Sequence, residues 1–260
     1  MVASVLAAVV AVLAVAVPAV PPPPAPLPAL PSASDWDYQL GGVSDPPPHV
    51  GIVARDRTEA PTPVEEGRYD LCYVNGFQIQ PDAKRFWRQR WALVLKDGRG
   101  RPVVDEAWGE WLLDLRSAAK RERLARIVGG WTAGCAEDGF EAVEYDNLDS
   151  FTRSDGLLRA RHATAYAALL VEAAHEVGLA AAQKNRAGWD GAQVGFDLAV
   201  AEECGRYDEC DAYTATYGDQ VLVVEYRRVD FGETCEGFGE QLPVLLRDRD
   251  LVADGLREWC

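Results

Sequence analysis

Beyond Ser34 the chain is a succession of short apolar runs, each closed by a polar residue and several separated by amphipathic stretches, and this alternation constrains the fold more than any other feature. Eight runs read as strands: 36–40, 50–54, 70–74, 142–145, 179–183, 196–201, 221–226 and 243–247. Two of the intervening stretches have helical period. Residues 117–132 put Leu124, Ile127, Val128 and Trp131 on one face, and residues 157–177 do the same with Ala165, Leu169, Ala173 and Val177 before Gly178 caps the end. Strands alternating with helices call for parallel pairing through right-handed crossovers, and eight strands close most economically into a single-domain α/β fold, the (β/α)8 TIM barrel. An open doubly wound sheet is the alternative. Residues 87–96 and 111–116 read as additional pieces between the third and fourth strands, and the loop at Pro46-Pro47-Pro48 leaves no room for a helix between the first two.

The first 34 residues are of another kind. Residues 2–20 are almost wholly Ala, Val and Leu, which suits a signal peptide or an N-terminal anchor, although only the terminal amine supplies positive charge ahead of them. Pro18 and the prolines at 21–24 stop that helix, and residues 21–34 read as a Pro-rich linker, leaving 35–260 as the folded domain. No later segment is apolar enough to cross a membrane, so the expected location is extracellular, with residues 2–20 as the one route to membrane attachment. All 26 Lys and Arg and all 41 Asp and Glu lie beyond Ser34, for a net charge of −15. That balance repels phosphate backbones and excludes nucleic acid as a partner, whereas it suits solubility and a cationic partner. Nothing in the sequence demands more than a monomer. Six cysteines in an exported chain suit disulfides. Cys204 and Cys210 are close enough to staple one loop, Cys235 and Cys260 to tie down the C-terminus, and Cys72 and Cys135 remain; sequence alone does not select among the pairings.

In a barrel, catalytic side chains come from the C-terminal ends of strands. Here those ends read Asp146 after Val143-Glu144-Tyr145, then Gln183-Lys184-Asn185, Glu202-Glu203, Glu225-Tyr226 and Arg247-Asp248. Ion pairs with Lys184, Arg227 and Arg247 explain any one of these carboxylates. A succession of them converging on one mouth points to chemistry instead, because burying each costs desolvation. Two carboxyl groups facing each other across a bond are what glycoside hydrolysis uses, and Asp146 and Glu202 form the candidate pair. The aromatic residues Trp36, Tyr38, Tyr73, Phe77, Tyr145 and Tyr226 lie at or near strand ends, where some can stack on sugar faces and the rest belong to the core. His49, His162 and His175 have no serine or carboxylate at catalytic spacing. The sequence contains no HExxH, CxxC or EF-hand ligand pattern and no phosphate-cradling glycine motif, so no metal or other cofactor is indicated. Asp97-Gly98 and Gly100 read as a turn.

Six stretches, 36–42 (WDYQLGG), 72–78 (CYVNGFQ), 139–150 (GFEAVEYDNLDS), 182–185 (AQKN), 201–210 (AEECGRYDEC) and 224–226 (VEY), closely resemble glycoside hydrolase family 114, which is similar to secreted endo-α-1,4-polygalactosaminidases. The resemblance runs from about residue 36 to 248. It implies a (β/α)8 fold and a retaining mechanism in which Asp146, in YDNLD, is the nucleophile and Glu202, in EEC, the acid/base, with Glu225 as competitor for the acid role. Glu203 is disfavoured because adjacent strand residues point to opposite faces. The resemblance further nominates Asp37, Tyr38, Tyr73, Asp149, Lys184, Asn185, Tyr226 and Arg247 as sugar contacts. The implied substrate is an α-1,4-linked galactosamine-containing polysaccharide, an amino-sugar polymer whose deacetylated units are cations that an acidic mouth attracts. A non-catalytic carbohydrate-binding barrel and a glycosidase for another hexose polymer are the alternatives. The mechanism leads one to expect Glu202 with a raised pKa and Asp146 held ionised by Lys184 or Asn185.

Overall fold

The computed structural model describes residues 26–32 and 34–260, so the apolar stretch 2–20 and its reading as a leader or anchor lie outside the described residues. The eight expected strands all form: β1 (Asp35–Gln39), β2 (Val50–Asp56), β3 (Tyr69–Asn75), β4 (Ala142–Asp146), β5 (Ala180–Lys184), β6 (Leu198–Glu202), β7 (Val221–Glu225) and β8 (Val244–Arg247). Each pairs in parallel with the next in chain order, and a ninth strand, β9 (Arg257–Trp259), runs antiparallel to β8. The outer layer is built from α1 (Ala118–Asp138), α2 (Ala160–Glu176), α3 (Cys210–Tyr217) and α4 (Arg228–Phe238). As its sequence demands, the Pro-rich connection from β1 to β2 contains no helix. The segment between β3 and α1 folds into a small antiparallel sheet of Gln78–Ile79, Val104–Asp105 and Glu110–Leu112.

Period-two alternation sorts the strand residues into two cores. Trp36, Ile52, Leu71, Ala142, Ala180, Ala182, Leu198, Val200, Leu222, Val224 and Leu245 fill the barrel interior. Their neighbours Cys72, Val74, Val143, Tyr145, Ala181, Ala199, Ala201, Val221 and Val223 face outward into a second core shared with the helices. Many inward positions are alanine or valine, which leaves room for the large side chains Trp36, Tyr38 and Tyr69 within the same barrel. Part of the segment read as linker joins this interior. Leu30 is buried, Leu27 packs beside it, the Leu30 amide donates to Gln220 Oε1 at 2.8 Å and Tyr69 donates to the Pro28 carbonyl at 3.0 Å.

The barrel is nearly closed. Side chains and β9 bridge the seam beside β1: Trp36 Nε1 donates to the Val223 carbonyl of β7 at 2.9 Å, and Trp259 Nε1 of β9 to the Trp36 carbonyl at 2.8 Å. Asp37 and Arg247, both wholly buried, form a 2.8 Å ion pair there, and Arg257 reaches the other Asp37 oxygen at 3.0 Å. Gly41 allows the backbones to meet, since a Cβ at that position would collide with the Asp250 carbonyl oxygen. Three disulfides fasten the outer layer: Cys72–Cys135 between β3 and α1, Cys204–Cys210 around the loop after β6, and Cys235–Cys260 between α4 and the C-terminus.

Asp37→Ala leaves Arg247 without its buried counter-charge and lowers the unfolding free energy by about 3–5 kcal/mol, measurable by urea denaturation; a loss below about 1 kcal/mol contradicts the structural role.

Candidate active site

At the C-terminal end of the barrel, the inward positions carry polar side chains instead of the aliphatic ones below them. Lys184, closing β5, is the centre of the arrangement. Its Nζ stands 2.7 Å from Tyr38 Oη, 3.0 Å from Glu144 Oε1, 3.4 Å from Glu202 Oε2 and 3.9 Å from Asp146 Oδ1. Tyr38 donates to Glu144 Oε1 at 2.6 Å, and Tyr73 donates to Asp146 Oδ2 at 2.7 Å. Glu202 accepts from Asn185 Nδ2 at 2.9 Å and from Tyr226 Oη. Because both Asp146 and Glu202 approach one ammonium, Asp146 Oδ1 and Glu202 Oε2 are separated by no more than those two distances laid end to end. That limit lies below most of the roughly 6.5–9.5 Å span of inverting pairs and admits the roughly 5–5.5 Å of retaining ones.

Local backbone geometry aims these groups. Asn147, Asn185 and Glu203, the residues that follow the ends of β4, β5 and β6, all have left-handed backbones, with φ of 67°, 52° and 56°. Each chain therefore turns sharply away as soon as Asp146, Lys184 or Glu202 has been delivered to the mouth. The Asn147 amide donates back to Asp146 Oδ1 at 2.7 Å, and the Asn185 side-chain oxygen accepts from the Glu202 amide at 2.8 Å. Glu203 swings aside to Arg206 at 2.6 Å and Arg249 at 2.9 Å.

The electrostatics follow from those contacts. Burial alone would lower the Lys184 ammonium, but Asp146, Glu144 and Glu202 hold it well above its ordinary pKa, so it stays charged. Burial raises Glu144 despite the nearby ammonium, whereas Tyr38, Tyr73 and Tyr226 are raised first by burial and then by neighbouring carboxylates, which keeps them neutral donors. The expected elevation of Glu202 is overturned. Burial pushes its carboxyl up, yet Lys184, Tyr226 and Asn185 together outweigh burial and hold it below the ordinary glutamate value.

A cleft of about 370 Å³ opens above Lys184. Of the residues expected from sequence, it is lined by Tyr73, Asp146, Asp149, Lys184, Asn185, Glu202 and Tyr226. Tyr38 lies beneath Lys184, fully buried, and Asp37 and Arg247 are engaged with each other at the seam. Glu225 faces outward with Val221 and Val223, accepting from the Gly205 amide at 2.8 Å, and is absent from the cleft lining. Among the expected aromatics, Trp36, Phe77 and Tyr145 are core residues. Sequence reasoning missed Glu144, two positions before Asp146 and thus on the same inward face. It also missed Gln80, Trp108 and Glu110, which the inserted segment brings to the cleft wall, and Arg153, which pairs with Asp149 at 2.8 Å and Asp105 at 2.7 Å.

Eight parallel strands with paired acidic side chains at the mouth of the barrel define a (β/α)8 glycosidase. The chain belongs to glycoside hydrolase family GH114, whose profile matches residues 17–260. Solved structures share the fold. Ega3 from Aspergillus fumigatus, in complex with galactosamine, is 21% identical with a TM-score of 0.71, over 90% of this chain and 96% of that one. The glycoside hydrolase domain of PelA from Pseudomonas aeruginosa is 18% identical with a TM-score of 0.57, over 87% of this chain and 98% of that one. A search of curated protein sequences finds no significant match.

Glu225 offers a test of the electrostatics outside the cleft. Burial pushes its carboxyl up to about 7, so the folded state holds a proton that the unfolded chain has released, and stability falls as pH rises from the ordinary glutamate value to about 7. In urea unfolding, Glu225→Gln removes a pH-dependent loss on the order of 3 kcal/mol between about pH 4.5 and 8; identical pH dependence in the variant and the parent contradicts this environment.

Proposed function

We propose that the protein is a secreted, retaining endo-glycosidase that hydrolyses an α-1,4-linked galactosamine polymer, with Asp146 as nucleophile and Glu202 as acid/base. The observation that carries this reading is the convergence of Asp146 and Glu202, from strands two apart, on the single ammonium of Lys184. Galactosamine in the related Ega3 structure supports the choice of sugar. The excess of acidic side chains supports attraction of a polycation, and the three disulfides support an oxidising, extracellular setting.

In the first step Glu202 gives its proton to the glycosidic oxygen while an Asp146 oxygen attacks the anomeric carbon. The sugar becomes an ester of Asp146 and the leaving chain departs with a free hydroxyl. In the second step Glu202, now ionised, takes a proton from water as that water attacks the same carbon and frees Asp146. Tyr73 and Lys184 stabilise Asp146 whenever it is anionic, and neutral Tyr226 with Asn185 fixes the direction of Glu202. The chemistry needs no cofactor. The low pKa of Glu202 in the free protein has a kinetic consequence, because the protonated form that the first step requires is populated in acid. Because kcat/KM follows the ionisation of the free enzyme, it starts to decline below the ordinary glutamate value and goes on falling as pH rises through neutrality.

The experiment is reducing-end release from partly deacetylated α-1,4-galactosamine polymer by the chain from Pro26 onward, which retains the barrel floor. Asp146→Asn and Glu202→Gln each lower kcat by roughly 10²–10⁴-fold, and the first sugar released by the parent has the α configuration. A β-configured first product rules out retention, and a kcat/KM maximum above neutrality rules out Glu202 as the acid.

A further inference from the structure

The cleft wall contributed by the inserted sheet carries a carboxylate that the two-step chemistry does not use. Glu110, which begins the strand Glu110–Leu112, is only 8% exposed, and what remains faces the cleft. Its Oε2 accepts from Asn75 Nδ2 at 2.9 Å. The Gln78 amide satisfies its surroundings when its nitrogen is turned toward the same oxygen, also at 2.9 Å. Oε1 receives no hydrogen bond from the described residues.

The other carboxylates around the cleft are already provided for. Asp146 and Glu202 share Lys184, Asp149 is bound by Arg153, Glu203 by Arg206 and Arg249, and Asp250 stands exposed at the rim. Glu110 is the buried one with no Lys, Arg or His within 4.0 Å among the described residues, for Arg153 is turned to Asp105 and Asp149. Burial, aided by Asp146 and Asp105 against the bond from Asn75, pushes its carboxyl up to about 7. A carboxylate stripped of water and lacking a counter-ion is stabilised most by a ligand that brings a positive charge.

We propose that Glu110 is a specificity residue that accepts the ammonium group of a deacetylated amino-sugar unit on its free Oε1, a role that rests on the glycosidase reading above. Asn75 fixes the position, since its nitrogen holds Glu110 while its oxygen accepts from Asn147 Nδ2 at 3.1 Å, which places the pair beside the end of β4. Trp108, 61% exposed and lining the same cleft, supplies an aromatic face for the sugar ring. An N-acetylated unit is neutral at that nitrogen and gains nothing from the charge of Glu110. The residue therefore sets a preference for the deacetylated sugar, and the inserted sheet, not the barrel, is the part of the molecule that reads the amine.

The test is calorimetric binding at pH 7 with two proteins, the full chain carrying Asp146→Asn so that nothing is cut, and the same chain with Glu110→Gln added. The ligands are α-1,4-galactosamine oligomers and their fully N-acetylated counterparts. Glu110→Gln is expected to weaken binding of the galactosamine oligomers at least tenfold and that of the acetylated ones less than twofold. Equal losses for the two ligands, or no loss for the galactosamine oligomers, overturn the assignment, and reducing-end release by the unmodified protein then shows that the glycosidase reading still stands. Failure of the unmodified protein to cut or bind any amino-sugar polymer removes both.

Discussion

The ammonium of Lys184 is the charge on which the site depends. It is buried under the cleft floor, and β1, β4 and β6 each send a phenol or a carboxyl group to it. Carboxylates withdrawn from water in this way cost several kcal/mol each unless a cation and hydrogen bonds replace the lost hydration. One cation cannot serve three of them equally. Glu144, with Oε2 unpartnered and its carboxyl raised, is the group that yields; Glu202, with Tyr226, Asn185 and Lys184 all donating to it, is the group that stays ionised. The division follows both donors and solvent: Glu144 is wholly buried, whereas the Glu202 side chain accepts from more donors and keeps 27% of its surface at the cleft. Under the proposed mechanism, catalysis consists in moving a proton onto Glu202, a group that the resting protein keeps unprotonated.

The remainder of the fold supports that arrangement in layers. Small aliphatic residues in the lower barrel make space for Trp36, Tyr38 and Tyr69, and Tyr38 is the element that transmits this packing to Lys184 and Glu144. The seam is held by Asp37, Arg247 and Arg257, and the loop after Glu202 is held by Cys204–Cys210. The residues proposed for the reaction thus stand on strands, whereas the inserted segment between β3 and α1 builds one wall of the cleft with Trp108 and Glu110. Specificity carried on an insertion can change without disturbing the barrel.

Much of this was legible in the sequence, because a barrel strand is a short apolar run with a polar end and those boundaries are local. All eight strands were found that way, as were Asp146, Lys184, Asn185 and Glu202, which stand at or just past strand ends. The two cysteine pairings suggested along the chain, Cys204–Cys210 and Cys235–Cys260, form, as does Cys72–Cys135, the pair that remained. What escaped is non-local. Alternation applied through each strand would have set Glu144 beside Asp146 and turned Glu225 outward with Val223, but reading only the final residues hides that parity. Asp37 and Arg247 look like site residues until the barrel closes and brings β1 against β8. Glu110 and Trp108 lie in a segment whose sequence has neither strand nor helix period, so their arrival at the cleft depends on how the insertion folds back. The ionisation of Glu202 depends on three donors from β5 and β7, none adjacent to it in sequence.

Lys184 sets which of the buried carboxyl groups carries the proton. Site-resolved carboxyl 13C titration of the free protein, compared with Lys184→Met, addresses it directly. Glu202 is expected to titrate below the ordinary glutamate range and Glu144 above it in the parent, with Glu202 moving upward once the ammonium is gone. A Glu202 that titrates near neutrality in the parent, or that does not respond to loss of Lys184, would contradict it.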